Sequence, residues 1–176
     1  AQLGMIDIII RRMCEELNEE NTDAPVSEPL MWLLHGGPGT GKSEVLKLVQ
    51  ELFREVCGWE LGLSYQMVAL QAVMAQLLDG DTIHHVLGIN PFGKKKDAKG
   101  SQQASQRQAD VAQRVMQWRW LFIDEISMVS AKLLAEMDHK LRSIMSDVNK
   151  MKRGVPGDIR PFGGLNVIFV GDFWQL

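Results

Sequence analysis

The sequence predicts a single α/β domain in which helices cover both faces of a mostly parallel sheet. Short apolar runs alternate along the chain with stretches of helical periodicity, and a glycine-rich turn joins the first run to the helix that follows it. The 176 residues suit one compact domain, and the sequence shows no internal repeat or interdomain linker. We therefore expect one domain that spans residues 1–176.

The first half of the chain supplies two of the predicted strands. Apolar residues at helical spacing predict a helix over residues 5–17, which a polar stretch with two prolines ends. Residues 30–34 form a continuous apolar run, typical of a strand that is buried on both faces. A second helix follows the glycine-rich turn, with apolar positions between residues 45 and 56. Residues 65–70 are the second predicted strand, and a short helix comes after it.

The second half of the chain adds two more strands. Residues 90–106 are polar and rich in lysine, which predicts a surface loop. A helix over residues 106–117 leads into the apolar run 120–123, the third predicted strand. Ser130 is suited to cap the next helix, and residues 165–170 form the last strand.

Composition argues against several classes of protein. A net charge of −3 gives no general basic character, so any contact with nucleic acid has to be local. No apolar run approaches the roughly twenty residues that a membrane-spanning helix needs. The N-terminus does not resemble a signal peptide. Cys14 and Cys57 have neither Cys-x-x-Cys nor zinc-site spacing, so we interpret them as reduced structural thiols of an intracellular protein.

The glycine-rich turn carries a phosphate-binding pattern. Residues 36–43 satisfy G-x-x-x-x-G-K-[ST] between a predicted strand and a predicted helix, which is the context that a P-loop requires. Lys42 is expected to reach the β- and γ-phosphates of ATP, and Ser43 to ligate Mg²⁺. A glycine turn with an incidental Lys-Ser pair is the alternative. The expected nucleotide-binding residues are Gly37, Pro38, Gly39, Thr40, Gly41, Lys42 and Ser43.

Two adjacent carboxylates, Asp124 and Glu125, end the third predicted strand. Carboxylates are costly at the end of a buried strand unless something uses their charge. In a P-loop protein the first would hold the Mg²⁺ shell, and the second would orient or deprotonate the attacking water. We therefore expect Asp124 to be a metal ligand and Glu125 a general base, with an ordinary surface pair as the alternative.

Three further segments narrow the range of possible functions. Residues 121–129 read Leu-Phe-Ile-Asp-Glu-Ile-Ser-Met-Val, residues 80–84 read Gly-Asp-Thr-Ile-His, and Phe-Gly-Gly at 162–164 precedes Gly-Asp-Phe-Trp-Gln-Leu at 171–176. In order and spacing these segments resemble motifs of the petite-integration-frequency (Pif) and RecD-like helicases, superfamily-one motors that move 5′ to 3′ on single-stranded DNA. The resemblance implies a RecA-like P-loop NTPase domain that acts as the motor domain of an ATP-dependent DNA helicase.

The resemblance also implies roles for residues around the nucleotide. Gln175 would sense the γ-phosphate and complete a catalytic set with Lys42 and Glu125, while Asp172 would help to fix its loop. Gln2 is similar in position to the glutamine that reads adenine in this family.

On the DNA side, the resemblance places Thr82 and His84 in the segment that lies along the strand. Gln71 would contact a phosphate, although the stretch around it departs from the threonine-glycine pattern that is usual in the family. Without its neighbours, His84 would be interpreted as an ordinary partly buried or surface histidine.

Single-stranded DNA is the partner implied by the resemblance, in a protein of the nucleus or mitochondrion in a eukaryote and of the cytoplasm otherwise. The same resemblance implies roles in DNA repair, recombination and telomere maintenance. Because the family continues past its third motif, we expect a second RecA-like domain to be missing, and this chain to hydrolyse ATP very slowly. Two other functions stay open: a P-loop ATPase switch that does not act on DNA, and an inactive helicase remnant from a mobile element.

Overall fold

Five strands and six helices make up the part of the chain that the computed structural model describes, residues 2–21, 27–90, 101–145 and 160–175. The helices are α1 (Gln2–Asn21), α2 (Lys42–Cys57), α3 (Ala72–Gln76), α4 (Ile83–Leu87), α5 (Ser101–Val115) and α6 (Ala131–Met145). The strands are β1 (Met31–His35), β2 (Tyr65–Ala69), β3 (Asp81–Thr82), β4 (Trp120–Asp124) and β5 (Asn166–Gly171). Short 3₁₀ segments cover Ile126–Met128, Pro161–Gly164 and Phe173–Gln175.

The strands form one sheet in the order β1-β5-β4-β2-β3, and every pair is parallel. In a parallel sheet the carboxyl ends of all strands meet at one edge, where the loops that follow them can form a common site. We call this the carboxyl edge. The phosphate-binding pattern follows β1, and the Asp124-Glu125 pair lies at the end of β4. Residues 171–175, which we call the third-motif segment, begin at the end of β5.

Helices pack on both faces of the sheet, as the sequence predicted. Side chains alternate along β4, so Leu121 and Ile123 join one apolar core while Trp120 and Phe122 join the other. The first core also takes in buried residues of α4, α5 and α6, and the second those of α1 and α2. The predicted α/β fold with a parallel sheet is therefore confirmed.

The N-terminal helix α1 is anchored to the sheet by a buried polar contact. Arg12 Nε donates a hydrogen bond of 3.1 Å to Asn166 Oδ1 at the start of β5. The same oxygen accepts 2.8 Å from the backbone N–H of Leu30, just before β1. One amide thus ties α1, β1 and β5 together at the amino edge of the sheet.

Several local predictions were wrong in extent or burial. β1 was predicted to be buried on both faces, but Met31, Trp32 and Leu33 are 40%, 39% and 45% exposed, because β1 has only β5 beside it in the described sheet. α5 begins at Ser101, so the end of the predicted loop is helical, and residues 91–100 lie outside the described residues. β3 and α4 were not predicted, because two and five residues are too short to show a periodicity.

The predicted cap of the helix after β4 was confirmed. The Ser130 hydroxyl accepts a hydrogen bond of 3.2 Å from the N–H of Leu133 and so caps α6. The thiols of Cys14 and Cys57 are free, although Cys14 is exposed rather than packed. None of the described helices is both long and apolar enough to cross a membrane.

Candidate nucleotide site and adjoining groove

The phosphate-binding pattern forms a tight turn between β1 and α2. Gly39 and Gly41 have φ values of +70° and +83°, in the left-handed region that favours glycine. The Thr40 hydroxyl donates 2.8 Å to the carbonyl of Gly37 and closes the turn. α2 begins at Lys42, so its positive N-terminal end opens onto the turn. Backbone N–H groups at such an end form a ready site for an anion.

Lys42 lies across the mouth of this turn. Its Nζ donates to the backbone carbonyls of Gly36 and Gly37, at 3.0 Å for the second. Charged phosphate oxygens are stronger acceptors than peptide carbonyls. A bound phosphate can therefore replace these carbonyls as the partner of the ammonium group. Ser43, the next residue, is exposed at the start of α2.

Asp124 occupies the carboxyl end of β4 in a buried position. Burial raises the pKa of its carboxyl group above the ordinary value, and the neighbouring charge of Glu125 raises it further. The hydrogen bond from the Glu125 N–H, 2.9 Å to Oδ1, and the charge of Lys42 oppose this rise in pKa. The site thus holds an acid whose ionised form is under-stabilised, which a cation would relieve.

Glu125 has an unusual backbone. Its φ of 52° lies in the left-handed region, which costs energy for a residue with a Cβ. Strained residues of this kind are often found at functional sites, where the surrounding structure holds them in place. The sequence indicated the role of Glu125 but not this conformation.

Magnesium suits the donor set that the carboxyl edge offers. The Ser43 hydroxyl and the Asp124 carboxylate are oxygen donors, and Mg²⁺ prefers oxygen ligands completed by water and by substrate phosphates. Within the described residues no group of three or more His, Cys, Asp or Glu side chains gathers as a metal cage. The fit is therefore to a cation that arrives with a nucleotide rather than to one held by protein ligands alone.

The third-motif segment lies directly beside the phosphate-binding turn. The Gly36 N–H donates 3.3 Å to the carbonyl of Gly171, and the buried Asp172 accepts 2.9 Å from the N–H of Trp174. Asp172 thus fixes the start of the 3₁₀ segment, as expected. The backbone of Gln175 ends that segment, while its side chain lies outside the described residues. The side chain of Gln2, at the start of α1, also lies outside them.

A groove of about 770 Å³ opens at the carboxyl edge, on the face covered by α4 and α6. It is lined by Leu70, His84, Ile89, Asn90, Met128, Ser130, Lys132, Leu133 and Glu136. The Gln71 amide lies 3.8 Å from the sulfur of Met128 in this lining. The hydroxyl of Thr82 instead accepts from the His85 N–H and caps α4. The structure therefore brings His84 and Gln71 to the groove and gives Thr82 a capping contact.

Sequence reasoning missed two groups of residues here. Lys132 and Asn90 line the groove, but nothing in their local sequence distinguishes them from other surface residues. His35, the last residue of β1, lies 3.6 Å from Asp172, a contact between residues far apart in the chain. In the sequence, only the position of His35 immediately before Gly36 pointed to a place near the site.

Comparison with known proteins decides the family. The model of the PIF1-like helicase family matches residues 18–176. The chain belongs to the PIF1-like helicase family. The ATP-dependent DNA helicase RRM3 of Saccharomyces cerevisiae is 31% identical to this PIF1-like chain over 144 residues, 80% of the chain and 17% of RRM3. The ATP-dependent DNA helicase PIF1 of Trypanosoma brucei brucei is 28% identical over 176 residues, 98% of the chain and 15% of that protein.

Solved structures of PIF1-family proteins agree with the fold. The Pif1 helicase from Candida albicans superposes with a TM-score of 0.61 at 26% identity, over 84% of this chain and 30% of that one. Pif1 from Bacteroides in complex with ADP-AlF3 and ssDNA gives a TM-score of 0.57 at 25% identity, over 94% of this chain and 32% of that one. The PIF1-like chain thus spans about a sixth of the curated relatives and about a third of the solved chains.

Proposed function

We propose that this chain is an ATP–Mg²⁺-binding motor domain of a DNA helicase that moves 5′ to 3′ on single-stranded DNA. The observation that carries the proposal is the meeting of three elements at the carboxyl edge. Lys42 spans the phosphate-binding turn and its charge influences the pKa of Asp124, while Gly36 is hydrogen-bonded to Gly171. Phosphate, metal and water-activating groups would therefore share one small space.

Each residue of the site would have a distinct task. Lys42 and the N-terminal end of α2 would bind the β- and γ-phosphates, and Ser43 and Asp124 would hold Mg²⁺. Glu125 would accept a proton from the attacking water. When bound, Mg²⁺ would neutralise charge on the phosphates. Gln175 would sense the γ-phosphate, and Gln2 would contact adenine.

The groove beside α4 and α6 is the proposed path of the DNA strand. Its lining offers the Lys132 ammonium, the Asn90 amide and the His84 imidazole to phosphates. Leu70 and Met128 offer apolar surface to sugars and bases. Support from a relative comes from the Bacteroides Pif1 structure that contains both ADP-AlF3 and ssDNA.

Binding of a fluorescent ATP analogue tests the nucleotide site in the chain as it stands. We expect Mg²⁺-dependent binding that Lys42→Ala weakens at least about tenfold, because charge-assisted contacts to phosphate are lost. Lys47→Ala is the matched control, since Lys47 lies on α2 in an exposed pair with Glu44. Equal affinity of the Lys42→Ala and Lys47→Ala variants would show that the turn is not the phosphate site.

Binding of labelled single-stranded DNA tests the other half of the proposal. We expect affinity that falls as salt rises, and that weakens in a His84→Ala, Lys132→Ala double variant. Nucleotide binding without DNA binding would favour the ATPase switch. Absence of nucleotide binding would favour the inactive remnant.

A further inference from the structure

The last residue of β1 contacts the third-motif segment, residues 171–175. We propose that His35 is a positioning residue that holds this segment against the phosphate-binding turn, so that binding of a nucleoside phosphate changes the surroundings of Trp174. The inference rests on the proposed nucleotide site. It adds a residue to which neither the motifs nor the resemblance assigns a role.

Three contacts join His35 to the segment. Its Nε2 lies 3.6 Å from Asp172 Oδ1, and the two side chains are 38% and 3% exposed. Its ring is nearly parallel to that of Phe173, at 6° with 6.5 Å between centroids. The ring of Trp174 meets it edge-on, also at 6.5 Å. The imidazole of His35 therefore lies beside three consecutive residues of the segment.

Asp172 connects these contacts to the turn. Its Oδ1 also accepts 2.9 Å from the N–H of Trp174, which fixes the direction of the segment. Its Oδ2 faces Gly37, since a Cβ built on that glycine would lie 3.9 Å away. The Gly36 N–H donates to the Gly171 carbonyl next door. Movement of Gly36 or Gly37 would therefore displace residues 171 and 172 as well.

Phosphate binding acts on those same two glycines. Lys42 Nζ donates to the carbonyls of Gly36 and Gly37. A phosphate that takes over the ammonium group leaves both carbonyls to find other partners. The two residues that contact the third-motif segment are thus the residues whose hydrogen bonds change.

Burial does little to hold the far end of the segment. Phe173 is 48% exposed and Trp174 is 85% exposed, so neither ring is fixed by an apolar core. Their ring contacts with His35 carry a correspondingly larger share of the positioning. Loss of the imidazole should free Trp174 from the turn without disturbing the sheet.

The experiment follows tryptophan fluorescence during titration of the chain with ADP, alongside an independent measurement of affinity with a fluorescent nucleotide. Trp174→Phe identifies the part of the signal that comes from Trp174 among five tryptophans. His35→Ala removes the contacts, and His35→Phe keeps a ring beside Phe173 and Trp174. His139→Ala, an exposed histidine on α6, is the matched control.

We expect ADP to change the fluorescence of the wild type and of His139→Ala, and Trp174→Phe to lose that change. His35→Ala should keep its nucleotide affinity within about fivefold, because His35 makes none of the proposed phosphate contacts. It should nevertheless lose most of the change that depends on Trp174. His35→Phe, which keeps a ring, should retain the larger part of it.

A full fluorescence change in His35→Ala, or a wild-type change unaffected by Trp174→Phe, would overturn the inference while leaving the nucleotide site intact. Failure of the wild type to bind either nucleotide would overturn the proposed function and this inference together. If His35→Ala unfolds, the His35→Phe variant decides, since loss of the change in a folded His35→Phe protein with normal affinity would contradict the role of the ring contacts.

Discussion

Asp124 shows how a buried carboxyl group can cost a protein stability. Burial is the largest cause of its raised pKa, and the charge of Glu125 adds to the effect. An acid whose pKa is raised on folding favours the folded state below its unfolded pKa, and this contribution is lost as pH rises through the folded pKa. Above the folded pKa, and without a cation, the ionised carboxylate therefore works against folding.

The first prediction is that Asp124→Asn raises the melting temperature at pH 7 in the presence of a chelator. Asparagine keeps an oxygen that can accept from the Glu125 N–H but carries no charge to desolvate. The gain should shrink as pH falls through the raised folded pKa of Asp124, and it should be gone below about 3.9, the ordinary pKa of aspartate, where the acid is neutral in both states. The same variant should lose the Mg²⁺ dependence of nucleotide binding.

Thermal melts across pH, with and without Mg²⁺, check this prediction. Glu60→Gln, at an exposed position, controls for the general effect of removing a negative charge. A melting temperature for Asp124→Asn at or below that of the wild type would show that the carboxylate is already stabilised in the folded protein.

A second prediction at the residue scale concerns Glu125. Its charge raises the pKa of Asp124, so the two acidic groups are near each other, and we propose that Glu125 receives a proton from the attacking water. Glu125→Gln keeps the shape of the side chain and removes the base, so nucleotide affinity should stay while turnover falls about 10²- to 10⁴-fold. Phosphate release by the natural full-length protein, normalised to bound nucleotide, measures this. Normal turnover would mean that another group activates the water.

At the element scale, Gly80 sets how closely β3 approaches β2. A Cβ at this position would lie 2.4 Å from the backbone carbonyl oxygen of Met67, so β2 or β3 would have to move. We predict that Gly80→Ala lowers the free energy of unfolding by about 1–3 kcal/mol, as overpacking commonly does. Because α4 follows β3 directly, the variant should also weaken binding of DNA at His84.

Gly4→Ala is the matched control for that variant. A Cβ on Gly4, in α1, would meet nothing within 4 Å, so alanine should stabilise the helix by up to about 1 kcal/mol. Urea denaturation of the two variants gives the comparison. Equal stability of Gly80→Ala and the wild type would show that the strands adjust without cost.

The same scale separates what the sequence could predict from what it could not. β2 and β4 are short apolar runs and α6 has a patterned apolar face, so all three were found from the sequence alone. β3 and α4 are too short to carry a period, and the exposure of β1 depends on which strands lie beside it. At the site, the motifs located Lys42, Ser43, Asp124 and Glu125. His35 and Asp172 are 137 positions apart in the sequence, so only the fold reveals their contact.

At the scale of the whole molecule, the two proposed sites lie at one edge of one sheet but beside different strands. The nucleotide turn follows β1 and adjoins β5, while the groove lies among β2, α4 and α6. β4 stands between them and ends in the Asp124-Glu125 pair. A shift of β4, or of the residues that follow it, would therefore move residues of both proposed sites. This arrangement suits a motor that links nucleotide state to grip on a strand.

The final prediction is that residues 1–176 bind ATP–Mg²⁺ but hydrolyse it at no more than about a thousandth of the rate of the full-length protein, because we propose that the transition-state arginine comes from outside these residues. The chain covers only 17% of RRM3, which leaves ample sequence in such relatives to supply one. Steady-state phosphate release with and without single-stranded DNA measures the difference, with Lys42→Ala as the blank. DNA should accelerate the full-length protein strongly and the 176-residue chain little. Rapid turnover by the short chain, indifferent to DNA, would mean that its site is complete and that the ATPase switch describes it better.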